Sequence, residues 1–170
     1  MDQKPETMDK AIKKITIKTG KYLTFSLAEE EYGIGILKVK EIIGMMAITS
    51  VPRTPDFVKG VINLRGKVIP VIDLRLKFNM ETILYSDHTC IIVVETDSKS
   101  GTMFIGIVVD AVSEVLNIKE DEIENAPSFG TGLDADYILG MAKMEEKVKI
   151  LLDIDRVLNI EEIKVLEKTI

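Results

Sequence analysis

A stretch near the middle of this chain returns 80 residues later in altered form, and that repeat limits the folds open to it. Residues 57–76 read FVKGVINLRGKVIPVIDLRL, and residues 137–154 read YILGMAKMEEKVKILLDI. Aligned without a gap, Asp56 matches Asp136, Phe57 matches Tyr137 and Gly60 matches Gly140. Lys67-Val68 matches Lys147-Val148, and Asp73-Leu74 matches Asp153-Ile154. The likeness fails in the turn, where Asn63-Leu64-Arg65-Gly66 faces Lys143-Met144-Glu145-Glu146. Residues kept in both copies serve the fold. The turn that departs is where a function can be placed.

Strand signals run through the chain. Val61–Leu64 and Val68–Leu74 are β runs separated by Arg65-Gly66-Lys67, and Gly66 supplies the positive φ of a tight hairpin. Thr89–Glu95 and Met103–Val109 predict another hairpin around a loop rich in Asp, Ser and Gly. Residues 15–27 alternate with period two, pass an acidic turn at 28–31 and continue as the strand Tyr32–Leu37. Gly33 and Gly35 within it mark bends or a close approach of other backbone. Gly35-Ile36 matches Gly106-Ile107, and each leads into a similar short element, KEII or SEVL. Val39–Ile43 reads as a short strand or one helical turn. Thr54-Pro55-Asp56 predicts a cap for a brief helix through Lys59, ended by Gly60. Residues 83–87 form a linker, and 121–136 form a longer irregular link with Pro127, Gly130 and Gly132. Helical spacing returns at 153–158 and 160–167.

Many short strands and glycine-rich turns predict an all-β protein. The repeat divides it into two units, about 15–80 and 88–158, each read as a small barrel. Barrels this small bury only about 60% of their unfolded surface. A fused pair with a shared core, rather than beads on a linker, is therefore expected. Residues 1–14 are expected to be flexible, and 159–170 to form a C-terminal helix or tail.

Charge narrows the function. With 22 basic and 28 acidic residues the net charge is −6, which disfavours non-specific nucleic-acid binding. No apolar run reaches membrane-spanning length, and the polar opening MDQKPETMDK is neither signal peptide nor anchor. The expected compartment is the cytoplasm. The single cysteine, Cys90, cannot form an internal disulfide.

Catalytic patterns are scarce. His88 is the only histidine, and with Cys90 two residues on it could share a strand face. Nothing in that segment reads as an orienting group or an oxyanion site, and two soft ligands are too few for structural zinc. Asp73 and Asp153 could be paired carboxylates. Their equivalent places in the two copies point instead to a repeated structural task, accepting turn N–H bonds. There is no phosphate-binding loop. No catalytic residue, cofactor or metal is expected.

Binding remains. Arg65 stands at a hairpin tip, where it is either a solvated turn residue or a five-donor fork for a partner's carboxylate or carbonyls. Asn63 can bond its own turn or a partner. Ile36, Val39 and Ile42 are either core or part of a groove for a partner helix. Val39 and Glu41, two apart in an extended stretch, are expected to share a face.

The segments YGIGILKVKEII, TPDFVKGVINLRGKVIPVIDLRLKF and IGIVVDAVSEVLNI closely resemble the bacterial chemotaxis coupling (adaptor) protein CheW family. The resemblance runs from about Lys18 to Leu158. It implies two fused SH3-like five-stranded β-barrels and a non-catalytic adaptor. The implied partners are the histidine kinase CheA, through its homologous regulatory domain, and the cytoplasmic tips of methyl-accepting chemoreceptors. The resemblance places the family's functional positions on Val39, Glu41, Gly60 and Arg65, beside an apolar groove between the barrels. A scaffold of another two-component pathway is the alternative.

Overall fold

The structure is a computed structural model, and it describes residues 20–98, 101–125 and 137–169. The expectations for residues 1–19, for Asp136 and for the link with Pro127, Gly130 and Gly132 lie outside the described residues. The strands are β1 (Gly20–Leu27), β2 (Glu30–Gly35), β3 (Val39–Gly44), β4 (Val58–Leu64), β5 (Lys67–Asp73) and β6 (Cys90–Ser98). They continue as β7 (Gly101–Val109), β8 (Ala111–Ile118), β9 (Ile123–Glu124), β10 (Ile138–Met144) and β11 (Lys147–Leu152). Among the described residues, helix α1 (Leu74–Lys77) follows β5, and α2 (Ile154–Val157) and α3 (Ile160–Thr169) follow β11 in turn.

The strands form a six-stranded sheet in the order β8-β1-β2-β11-β10-β9 and a five-stranded sheet in the order β3-β6-β7-β5-β4. Neither sheet closes, which corrects the expected pair of SH3-like barrels. In the five-stranded sheet β3 and β4 are the edges, and among the described residues their backbones meet in an isolated bridge between Thr49, past the end of β3, and Val61. Pro52 and Pro55 follow that bridge. Proline has no N–H to extend a ladder, so closure stops after one pair.

Sheet membership crosses the repeat. The β1–β2 hairpin lies in the six-stranded sheet with β8, β10 and β11, and the β6–β7 hairpin lies with β3, β4 and β5. Each half thus hands its first hairpin to the sheet of the other. The seams are parallel: Val71 pairs with Gly106 between β5 and β7, and Leu151 with Gly33 between β11 and β2. A Cβ on Gly33 would sit 3.0 Å from Leu151 Cδ2, a tight approach across that seam.

Within this exchange the two copies keep their details. A register shift falls at Val58/Gly60 in the first and at Ile138/Gly140 in the second. Asp73 N–H donates to the Phe57 carbonyl at 2.8 Å, and Asp153 N–H to the Tyr137 carbonyl at 2.7 Å. Each aspartate caps the helix after it, Asp73 accepting from Arg75 N–H at 2.9 Å and Asp153 from Asp155 N–H at 3.1 Å. That is the repeated structural task rather than a catalytic pair. The brief helix expected at 54–59 is absent. Val58 N–H donates to the Pro55 carbonyl at 3.0 Å, closing a turn that opens directly into β4.

Residues of both sheets meet in one large core. Leu23, Phe25 and Ile34 of the six-stranded sheet join Ile72, Ile92 and Ile107 of the five-stranded one, with Ile154, Val157 and Leu166 from the helices. Each such side chain contributes about 1.5–3 kcal/mol by leaving water. Rings of Phe25, Tyr32, Phe78 and Tyr137 stack in series at 6.0, 6.0 and 5.1 Å. A smaller cluster on the other face of the five-stranded sheet holds Ile62, Ile69, Val71, Ile91, Val93 and Val108.

Candidate functional site

The tip of the β4–β5 hairpin is a two-residue turn. Leu64 pairs with Lys67, and Arg65 and Gly66 have φ of 51° and 86°. Positive φ at both central residues is the type I′ geometry that matches strand twist. Asn63 caps the tip, its Oδ1 accepting from Gly66 N–H at 2.9 Å. The Arg65 fork reaches Glu41 on β3 with both Nη atoms, Nη1 to Oε1 at 2.9 Å and Nη2 to Oε2 in a shorter contact. The hydrogen bond and charge of Arg65 hold the Glu41 carboxyl below the usual carboxylate range.

This pair spans the sheet. β3 and β4 are its first and last strands. Flat, they would stand about 19 Å apart at the normal strand spacing. A direct bond from Glu41 on β3 to Arg65, one residue past the end of β4, goes with a curled sheet. The curl leaves a hollow of about 330 Å³ under the pair. Leu64, Ile69, Val93 and Phe104 supply its apolar lining, and Lys40, Glu41, Arg65 and Lys67 its charged rim. Lys67 Nζ lies 4.8 Å from the Phe104 ring centroid, and Lys40 pairs with Glu95 at 2.7 Å. The Arg65 side chain is 70% exposed and that of Glu41 32%. Such a pair contributes little to stability.

The remaining residues singled out in the sequence divide between places. A bulge at Lys40 sets Val39 opposite Val94 and Glu41 opposite Val93. Neighbours on β6 point to opposite faces, so Val39 and Glu41 do not share one, which corrects the expectation from their spacing. Val39 and Ile36 pack on the large core, half-buried. Ile42 is 44% exposed, and Leu37 in the adjoining 3-10 turn is 90% exposed. Gly60 has φ 142°, and a Cβ there would lie 2.0 Å from the Thr49 carbonyl oxygen. It holds the one bridge between the sheet's edges rather than facing solvent. Phe104, Ile69 and Val93 escaped the sequence reading. Alternation placed them on strands, but only the β3–β6–β7–β5–β4 order puts them under Arg65.

The same place in the six-stranded sheet has different chemistry. Glu145 occupies the second tip with φ 60°, where Arg65 stands in the first. Lys149, 8% exposed, replaces Ile69 and bonds Glu31, which also accepts from the Ser113 hydroxyl at 3.3 Å. Hydrogen bonding from Lys149 outweighs burial and leaves the Glu31 carboxyl low. An apolar hollow in one sheet is an ion pair in the other. The copies have diverged beneath the hairpin tip, Ile69 in one and Lys149 in the other.

His88 is exposed, and the Cys90 thiol donates to the His88 carbonyl at 3.1 Å. Among the described residues no group of three or more His, Cys, Asp or Glu could hold a metal ion. None of the described helices is long and apolar enough to cross a membrane.

Two open sheets share a core, and an exposed ion pair lies over an apolar hollow at the edge of one of them. Residues 21–162 match the CheW-like domain family. The chemotaxis protein CheW of Klebsiella aerogenes is 43% identical over 146 residues, 86% of each chain. That of Bacillus subtilis is 37% identical over 145 residues, 84% of this chain and 90% of the relative. The crystal structure of the scaffolding protein TtCheW from Thermoanaerobacter tengcongensis aligns with a TM-score of 0.75 at 39% identity, over 85% of this chain and 95% of that one. The chain belongs to the CheW family of non-catalytic chemotaxis adaptors.

Proposed function

We propose that this protein couples the cytoplasmic tips of methyl-accepting chemoreceptors to the histidine kinase CheA, binding the kinase through its homologous regulatory domain. On this reading it works in the cytoplasm at membrane receptor arrays and needs no cofactor. The observation that carries the site is the meeting of Glu41 and Arg65, 24 residues apart, over the hollow lined by Leu64, Ile69, Val93 and Phe104. An apolar pocket ringed by charge takes an apolar side chain and a polar neighbour from one partner. Val39 and Ile42 belong to the opposite face of β3, with Ile36 in the turn before it, so a second partner can be held at once. Gly60 and Asn63 support the loop and the tip.

The test is receptor-dependent stimulation of CheA, titrated against this protein. Arg65→Ala is expected to shift the half-point about thirtyfold, the scale of an interface hot spot, while the thermal midpoint holds. Full stimulation by folded Arg65→Ala and Glu41→Lys variants removes the hollow from the site. Full stimulation without this protein removes the function.

A further inference from the structure

We infer that Asn63 is a positioning residue, which touches no partner and acts by fixing the peptide that follows Arg65 and so the direction of its side chain. The inference rests on the docking role proposed for Arg65. Type I′ turns favour Asn, Asp or Gly at their first central position, and an arginine there is strained. Strain of this kind persists only where neighbouring groups over-determine it. Two contacts hold this tip. Glu41 holds the end of the Arg65 side chain, and Asn63 Oδ1 holds the Gly66 N–H that follows its backbone.

The second copy shows what the Asn63 contact is for. There Met144 pairs with Lys147 and Glu145 takes φ 60°, so a two-residue turn forms again. Lys143 stands in the place of Asn63 and pairs instead with Glu124. The hairpin therefore closes without a side-chain cap. What the cap adds in the first copy is a fixed direction for the peptide leaving Arg65. That direction aims the fork across the sheet at Glu41 and over the hollow. The acceptor oxygen of Asn63 does this work, and its amide nitrogen is not required.

Asn63→Asp keeps the acceptor and removes the donor, whereas Asn63→Ala removes both. In the full chain with receptor fragment and CheA, Asn63→Ala is expected to raise the half-point of stimulation about fivefold, the value of one hydrogen bond. Asn63→Asp is expected to stay near wild type. The Asn63→Ala/Arg65→Ala double variant is expected to match Arg65→Ala alone. An Asp variant as weak as the Ala variant, or a double variant a further fivefold weaker than Arg65→Ala, makes Asn63 a partner contact and overturns the inference. A second readout needs no partner. The Arg65 Nε–H resonance, resolved in wild type and in Asn63→Asp, is expected to move in Asn63→Ala toward those of freely rotating arginines. An unmoved resonance overturns the positioning role. If Arg65→Ala itself leaves the half-point unchanged, the docking reading fails, and this resonance still decides what Asn63 does.

Discussion

Val39 and Glu41 stand two residues apart on β3, and the bulge between them turns their side chains to opposite faces of the sheet. Their substitutions should therefore separate. Val39→Ala removes packing from the large core and should cost about 1 kcal/mol, lowering the thermal midpoint by roughly 2–4 °C. Glu41→Gln should leave the midpoint alone and weaken coupling, with the deficit shrinking as salt rises, because the pair is exposed. Matching stability losses in the two variants would contradict the bulge.

Gly60 and Gly140 hold equivalent places but differ in strain. Gly60 has positive φ, and the Thr49 carbonyl oxygen lies 2.0 Å from the position a Cβ would take. At Gly140 the Glu124 carbonyl and Ile123 Cγ2 both lie 2.8 Å from that position. Gly60→Ala should cost at least 3 kcal/mol, about the level at which special backbone sites reach the tail of mutational effects. Gly140→Ala should cost less, since only space and not φ opposes it. Denaturant midpoints measured side by side decide the order.

Arg65→Asn places an Asn-Gly pair in the type I′ turn, the pair such turns prefer. The thermal midpoint should hold or rise while coupling falls by about the thirtyfold expected of a lost hot spot. A variant that loses both together would mean that Arg65 is a structural residue.

Acid titration should distinguish two aspartates. Burial pushes the Asp153 carboxyl up, ahead of the Asp155 N–H bond and the Arg156 and Lys38 charges that oppose it. A raised folded-state value means stability is lost as pH rises above the ordinary aspartate value of about 3.9. Asp153→Asn, which keeps an acceptor for Asp155 N–H, should therefore raise the thermal midpoint at pH 7 and lose that advantage in acid below about 3.9. Asp110 behaves oppositely. Burial pushes it up, but the Arg75 bonds, the Ala28 N–H and the Arg75 charge outweigh this and leave it low. Its contribution is present above about 3.9 and is lost as pH falls through the lower folded-state value, so Asp110→Asn should destabilise at pH 7. Melts at pH 7 and pH 3 measure both.

The sequence showed what is local or repeated. The turn at Arg65-Gly66 carried its own glycine, the two capping aspartates sat at matching places, and the C-terminal spacing marked α2 and α3. Pairings between distant segments left no such mark. Alternation says which residues share a face of a strand, not which strand lies beside it, so Val71 against Gly106 was not readable. The extra residue at Lys40 is no different in the sequence from any other, yet it reverses Glu41 relative to Val39. The prolines at 52 and 55 were visible as strand breakers, but their effect, an open edge instead of a barrel, depends on where Thr49 meets Val61.

The exchanged hairpins bear on how such a chain could have arisen. A single half contributes β1, β2, β3, β4 and β5, but its sheet is completed only by a hairpin from elsewhere. An ancestor of half this length, with the same pairings, could complete its sheets only by trading hairpins with a second copy of itself. Joining the two copies in one gene would make that swapped dimer permanent. It would also release one tip from the symmetry of the other, so that arginine can stand at position 65 and glutamate at position 145.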